Sequence, residues 1–146
     1  MNEVDRRLLQ MLAEDARRSY ADLAQDVGLT APSVYARIKK LERRGVIRQY
    51  TIATDPEQLG HGIGALVMVR QQPGFHWERL EAGFRELAAV EACHSVTGDE
   101  TYVLLVRVAS PTMLEDLLRS INCLDGVAST RTLLILSTTF ERRRID

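Results

Sequence analysis

Between residues 31 and 48 the chain collects basic side chains around an apolar stripe. Val34, Ile38 and Leu41 fall at i, i+4 and i+7, the spacing that lines residues along one face of an α-helix. Ser33, Ala36, Lys40 and Arg43 then face outward, with Tyr35, Arg37 and Lys39 on the flanks. Residues 37–48 carry six basic side chains (Arg37, Lys39, Lys40, Arg43, Arg44, Arg48) and one acid, Glu42. Such a face suits a polyanion. Lysine and arginine neutralise phosphates or reach guanine N7 and O6, a serine hydroxyl bonds a base or a phosphate, and an alanine packs against a thymine methyl. The N–H groups at the start of the helix add phosphate donors. Two competing readings remain open: a solvated face of an ordinary amphipathic helix, and a three-helix protein-binding module.

Other chemistry is poorly served. Cys93, His94, His61 and His76 have no metal-site spacing, so no metal is expected. No nucleophile–base pair or metal cluster stands out, so the chain does not read as an enzyme. Two cysteines are too few for a disulfide framework and read as reduced intracellular thiols. The formal net charge of −1 over 146 residues hides an asymmetry. Residues 1–52 hold ten Lys/Arg and seven Asp/Glu, a balance of +3; residues 53–146 hold nine and thirteen, a balance of −4. A polyanion partner is therefore expected for the first part only. The opening MNEVDRRLL lacks the apolar core of a signal peptide. No apolar run approaches the ~20 residues that cross a bilayer. The expectation is a cytoplasmic, nucleoid-associated protein with no membrane partner.

The basic helix needs a scaffold. Val4, Leu8, Leu9, Met11 and Leu12 predict a first helix over 4–13, with Asn2 or Asp5 at its start. Ser19 caps a second over 20–26, and Gly28 ends it. Thr30 caps the third, over 31–44, with Pro32 in its first turn and Gly45 after it. Helix, glycine-containing turn and helix make a helix-turn-helix, whose second helix enters the DNA major groove. The alternating, β-branched residues 46–52 predict a strand. Asp55-Pro56 and glycines 60, 62 and 64 mark a boundary. The expected organisation is a helix-turn-helix domain over 1–52, a linker over 53–62 and a second domain over 63–146.

Beyond that boundary the pattern changes. Strands are predicted at 65–69, 92–97, 102–109 and 130–140. Helices are predicted around Trp77, Leu80, Phe84 and Leu87, and over 111–122. This β-α-β-β-α-β order is the ferredoxin-like unit, whose helices cover one sheet face. Apolar residues fall on both faces, so a second copy of the chain is expected on the other, with Leu105 and Leu134 as candidate contacts. Trp77 is expected in the core or at an interface. Arg142-Arg143-Arg144 reads as a solvated tail, with a nonspecific DNA or partner contact as the alternative.

The stretch from DARRSYADLAQDVG through LTAPSVYARIKKLERRGVIRQY to TIATDPEQLG resembles the DNA-binding domain and linker of the leucine-responsive regulatory protein/AsnC (Lrp/AsnC) family. CHSVTGDETYVLLVRV and TRTLLILST resemble that family's ligand-sensing domain. The resemblance spans essentially the whole chain, in family order. It implies an α+β protein: an N-terminal winged-helix-like helix-turn-helix domain plus a C-terminal ferredoxin-like βαββαβ ligand-sensing domain. It also implies a transcriptional regulator acting on double-stranded DNA, and homodimers assembling into tetramers, octamers or larger rings; no cofactor is expected. The implied effector is a small molecule, typically an amino acid, bound between sensing domains. The family's turn often reads Gly-Asp-Tyr-Asp, whereas this chain has Gly98-Asp99-Glu100-Thr101. Thr101 puts a neutral hydroxyl where the family commonly has an acid, and Glu100 is the neighbouring replacement. The expected effector contacts are His94, Gly98, Asp99, Glu100, Thr101, Thr130 and Thr132; a simple polar hairpin turn is the alternative. In the effector reading, turn N–H groups hold a carboxylate and Asp99 or Glu100 accepts from an ammonium group.

Overall fold

The computed structural model describes residues 1–141. The predicted Arg142–Arg144 tail lies outside the described residues. The fold has two compact units, divided between Ala53 and Thr54, with Phe140 grouped with the first.

Three helices make the first unit: α1 (Glu3–Glu14), α2 (Tyr20–Val27) and α3 (Ala31–Arg43). Each starts where a short polar side chain satisfies a free N–H of the first turn. Asn2 Oδ1 accepts from Asp5 N–H at 2.8 Å, Ser19 Oγ from Asp22 N–H at 3.1 Å, and Thr30 Oγ1 from Ser33 N–H at 3.4 Å. Such caps contribute about 1 kcal/mol each. Gly28 ends α2 at φ +67°, a left-handed conformation that lets its N–H return to the Ala24 and Gln25 carbonyls. Leu8, Met11, Leu23, Ala24, Val34 and Ile38 close one core, bordered by Val4, Leu12, Val27, Leu29, Ala31 and Ile47.

The predicted strand over 46–52 does not form in this chain. The segment runs on without a ladder, and Ile52 is 81% exposed. β-branched alternation makes a strand only when another strand supplies hydrogen-bond partners. No described strand of the first unit does so.

The second unit runs β1 (Ile63–Gln71), α4 (Trp77–Glu86), β2 (Val90–Ser95), β3 (Tyr102–Val108), α5 (Pro111–Asn122) and β4 (Val127–Ile135). The sheet order is β2-β3-β1-β4, antiparallel throughout. Ala65, Val67, Val69, Tyr102, Leu104 and Val106 face Leu80 and Phe84 of α4 and Leu117 and Ile121 of α5, making the second core. Trp77 is outside it at 55% exposure. It opens α4, and the core positions fall to Leu80 and Phe84 further along. Gly126 enters β4 at φ +94°, and the Phe75 ring crowds the place where a Cβ would stand. Only glycine fits there.

The last strand starts three residues earlier than its apolar run suggests and stops at Ile135, leaving Leu136 and Phe140 exposed. Its ladder follows β1, whose partners are used up at Gly64↔Ile135. That register also settles the faces. Leu66, Met68, Val103, Leu105, Leu133 and Ile135 lie on the face without helices. Leu134, opposite Ala65, lies on the helix side at the sheet edge, so it does not belong to the open face where it was expected.

Candidate nucleic-acid interface and ligand turn

The helical period of α3 decides which side chains it offers. Val34, Ile38 and Leu41 are buried, while Ser33, Ala36, Lys40 and Arg43 are exposed. Tyr35 is 48% exposed and meets Tyr20 edge-on, ring centroids 5.4 Å apart. The basic flank residues are already engaged. Arg37 reaches Asp5 of α1 at 2.9 Å, a half-buried ion pair that ties the two helices together. Lys39 Nζ lies 2.7 Å from Glu42 Oε2 and 5.7 Å from the Tyr35 ring centroid. Ser33 Oγ shares a 2.9 Å hydrogen bond with the Thr30 hydroxyl.

Among the described residues, Lys40, Arg43, Arg44 and Arg48 have no carboxylate partner. They supply the uncompensated charge of this surface, and Arg44 and Arg48 extend the outward set beyond the predicted one. The Glu42 cluster was not legible as a site. Glu42 Oε1 also accepts from the Tyr50 hydroxyl at 3.0 Å. Hydrogen bonds from Lys39 and then Tyr50 hold the Glu42 carboxyl below its usual range, and the same contact with Glu42 raises Lys39. Partial burial, then the anionic acceptor, pushes the Tyr50 phenol up to about 12. The available signal was one acid inside a basic run, with a tyrosine eight residues on.

The turn after β2 is held from several sides. Gly98 takes φ +123°, open to glycine. Val96 N–H donates to the Thr101 carbonyl at 3.0 Å, and Thr101 N–H to the Val69 carbonyl at 2.8 Å. The Thr101 hydroxyl accepts from Gln71 N–H at 3.2 Å. That side chain therefore fastens the turn to β1. Arg70 Nε donates to the Asp99 carbonyl at 3.2 Å. Arg131 donates to Glu100 Oε1 from Nε at 3.2 Å and from Nη2 at 2.7 Å. Arg131 foremost, with a backbone hydrogen bond, holds the Glu100 carboxyl below the usual carboxylate range.

Met68, Arg70, Glu100, Ser129, Thr130 and Arg131 line an open cleft of about 240 Å³ beside this turn. Glu100 and Thr130 thus meet at one place. Thr130 has its hydroxyl donated to Asn122 of α5 at 3.1 Å. Thr132 pairs with Val67 and shares its helix-side face; exposed His94, opposite Val103, is on the open face. The register therefore spreads the expected contacts over two faces of the sheet. It also puts Arg70 and Arg131, absent from the expected set, beside Glu100. An arginine amid threonines and leucines at 130–134 was the signal for Arg131.

Comparison with known proteins accounts for both units. Residues 1–42 match the family model of the AsnC-type helix-turn-helix domain, and residues 64–145 match the Lrp/AsnC ligand binding domain. The chain is 38% identical over 144 residues to the HTH-type transcriptional regulator LrpA of Mycobacterium tuberculosis, spanning 99% of this chain and 95% of that protein. A feast or famine regulatory protein of M. tuberculosis, solved in complex with L-methionine, superposes with a TM-score of 0.93 at 38% identity, covering 99% of each chain. Escherichia coli AsnC superposes with a TM-score of 0.94 at 26% identity, over 100% of this chain and 99% of that one.

Proposed function

Because this chain belongs to the Lrp/AsnC family of transcriptional regulators, we propose that it reads a specific DNA sequence and that a small effector, an amino acid, sets its assembly and thereby its DNA binding. The observation that carries the DNA half is the outward face of α3. Ser33, Ala36, Lys40 and Arg43 are exposed there, and the cations lack carboxylate partners among the described residues. In this reading Ser33, Ala36 and Tyr35 address base edges and sugars, Lys40, Arg43 and Arg44 neutralise phosphates, and Arg37 braces α3 against α1. The protein acts on chromosomal DNA in the cytoplasm.

The open sheet face supports homodimerisation, because it exposes apolar side chains that one sheet with two helices cannot cover. The L-methionine complex of a relative supports an amino-acid effector. On this chain the effector's place is the turn at Gly98–Thr101 with the cleft of Glu100, Arg70 and Arg131. Arg70 or Arg131 meets the carboxylate, and Asp99 or Glu100 meets the ammonium. Binding that differs between two assemblies shifts the population toward one of them, and so toward one spacing of the DNA-binding units.

A salt-titrated binding assay on duplex DNA tests the first half. Log affinity should fall linearly with log salt, by about 0.9 per phosphate neutralised. Flat, weak binding at every salt concentration overturns it. Calorimetry against the standard amino acids, with assembly size followed by sedimentation, tests the second. Binding of none of them to the wild type overturns the amino-acid effector while leaving the DNA reading intact.

A further inference from the structure

The last side chains of α3 and the segment after it are joined by one carboxylate. Glu42 takes Lys39 Nζ on Oε2 at 2.7 Å and the Tyr50 hydroxyl on Oε1 at 3.0 Å. Lys39 in turn lies over the Tyr35 ring at 5.7 Å, and Tyr35 meets Tyr20 of α2 at 5.4 Å between centroids. Both tyrosines are exposed, at 39% and 48%. The arrangement occupies a cation that, by sequence spacing alone, belongs to the phosphate-binding set.

We propose that Glu42 is a positioning residue of the DNA-reading surface: it withholds Lys39 from phosphate and clamps it on Tyr35, so that this flank offers DNA an ordered tyrosine pair instead of a mobile cation. The inference rests on the DNA-binding reading above. Its physical basis is a difference in what each group recognises. A free lysine is attracted to every phosphate and raises affinity for all sequences alike. Two aromatic rings fixed in one geometry contact sugars, base edges or a thymine methyl, and their hydroxyls donate to a phosphate only at one position. Glu42 therefore gives up general affinity for selectivity. Tyr50 holds the second carboxylate oxygen, so it steadies the same group from the segment that leads away from α3.

Glu42→Gln keeps the shape of the side chain and removes its charge. Affinity should be compared on a random duplex and on a duplex selected by the wild type from a randomised pool, each across a range of salt. Losing the clamp should strengthen binding to random DNA by about 3- to 10-fold and steepen the log–log salt slope by about one, as Lys39 finds a phosphate. The preference for the selected duplex should fall. Lys39→Met alone should leave the slope unchanged, and Lys39→Met combined with Glu42→Gln should return it to the wild-type value. A merely structural role for Glu42 predicts weaker binding to both duplexes with no change in slope, and that result overturns the proposal. So does a slope flattened by about one in Lys39→Met, which means Lys39 already contacts phosphate. A wild type that binds without salt dependence instead removes the DNA-binding reading itself, so the two failures are distinguishable. Nuclear magnetic resonance titration resolved at the Tyr50 ring gives a readout independent of DNA: in Glu42→Gln the Tyr50 phenol should titrate lower than in the wild type. An unmoved titration shows that the clamp is not formed.

Discussion

In the three-helix unit the helices bury their apolar stripes and cations are left over; in the sheet unit most cations have partners and apolar side chains are left over. Leu8, Leu23, Val34 and Ile38 are almost wholly buried, whereas Lys40, Arg43, Arg44 and Arg48 meet no carboxylate among the described residues. Beyond residue 53, Arg107 pairs with Glu91 and Arg131 with Glu100, Arg119 with Glu115, and Arg70 bonds the Asp99 carbonyl. Yet Leu133 stays 47% exposed, and Leu66, Met68, Val103 and Leu105 are only partly buried. Each surplus names its partner. Unpaired cations seek a polyanion through a long-range, salt-screened force. Uncovered apolar area seeks another apolar surface, by an effect that salt does not screen. Raising salt should therefore release DNA while leaving self-assembly in place.

The most severe break is Leu105→Glu. A carboxylate buried without a partner costs roughly 3–5 kcal/mol, about a hundredfold or more in the dissociation constant of the proposed dimer. Leu134→Glu should leave assembly unchanged, because that side chain is on the helix side of the sheet. Sedimentation of both variants checks the pair, and a wild type that sediments as a clean monomer at micromolar concentration overturns self-association through the open sheet face.

Next in size is a cavity in the other unit. Ile38→Ala removes a fully buried side chain from α3, at a cost of roughly 2–5 kcal/mol. DNA binding should be lost at a temperature where the sheet unit is still folded and self-associated. Amide hydrogen exchange resolved along the chain reads this directly; equal loss of protection in both units would show that their stabilities are not separable.

Smaller effects sharpen the division of labour on α3. Replacing Ser33 or Ala36 by a bulky residue should change sequence preference by roughly 1–3 kcal/mol per lost base contact. Lys40→Ala or Arg43→Ala should weaken binding to every duplex and flatten the salt slope by about one each. Equal losses on selected and random DNA for the Ser33 variants would remove Ser33 from base reading.

The smallest effect is a titration. Arg131 lowers the Glu100 carboxyl from its ordinary value of 4.5. This ion pair therefore contributes fully above the ordinary carboxylate range and is lost only as pH falls through the lower folded value. Nuclear magnetic resonance of the Glu100 carboxyl should find its midpoint below that of an ordinary glutamate, and Arg131→Gln should restore it. An ordinary midpoint in the wild type would leave the cleft without its ion pair.

Much of this was readable residue by residue. The periods of α1, α2, α3 and α5, their caps at Asn2, Ser19 and Thr30, and the β-α-β-β-α-β order follow from local propensity and spacing, which act over a few residues. The outward set of α3 follows from the same period. Pairing was not readable, because partners distant in sequence leave no local mark. The ladder with β1 put Arg131 beside Glu100, turned Leu134 to the helix side and ended β4 at Ile135. The lack of a ladder left residues 46–52 without a strand, although their alternation asks for one. Side-chain geometry drew Lys39 and Arg37 away from the open basic face, toward Glu42 and Asp5. The sequence by itself determined what each element is and which side of a helix is greasy. Only the tertiary structure decided which charges are left free, because a charge is spent or kept according to which neighbour the fold brings within 3 to 4 Å, roughly the reach of an ion pair.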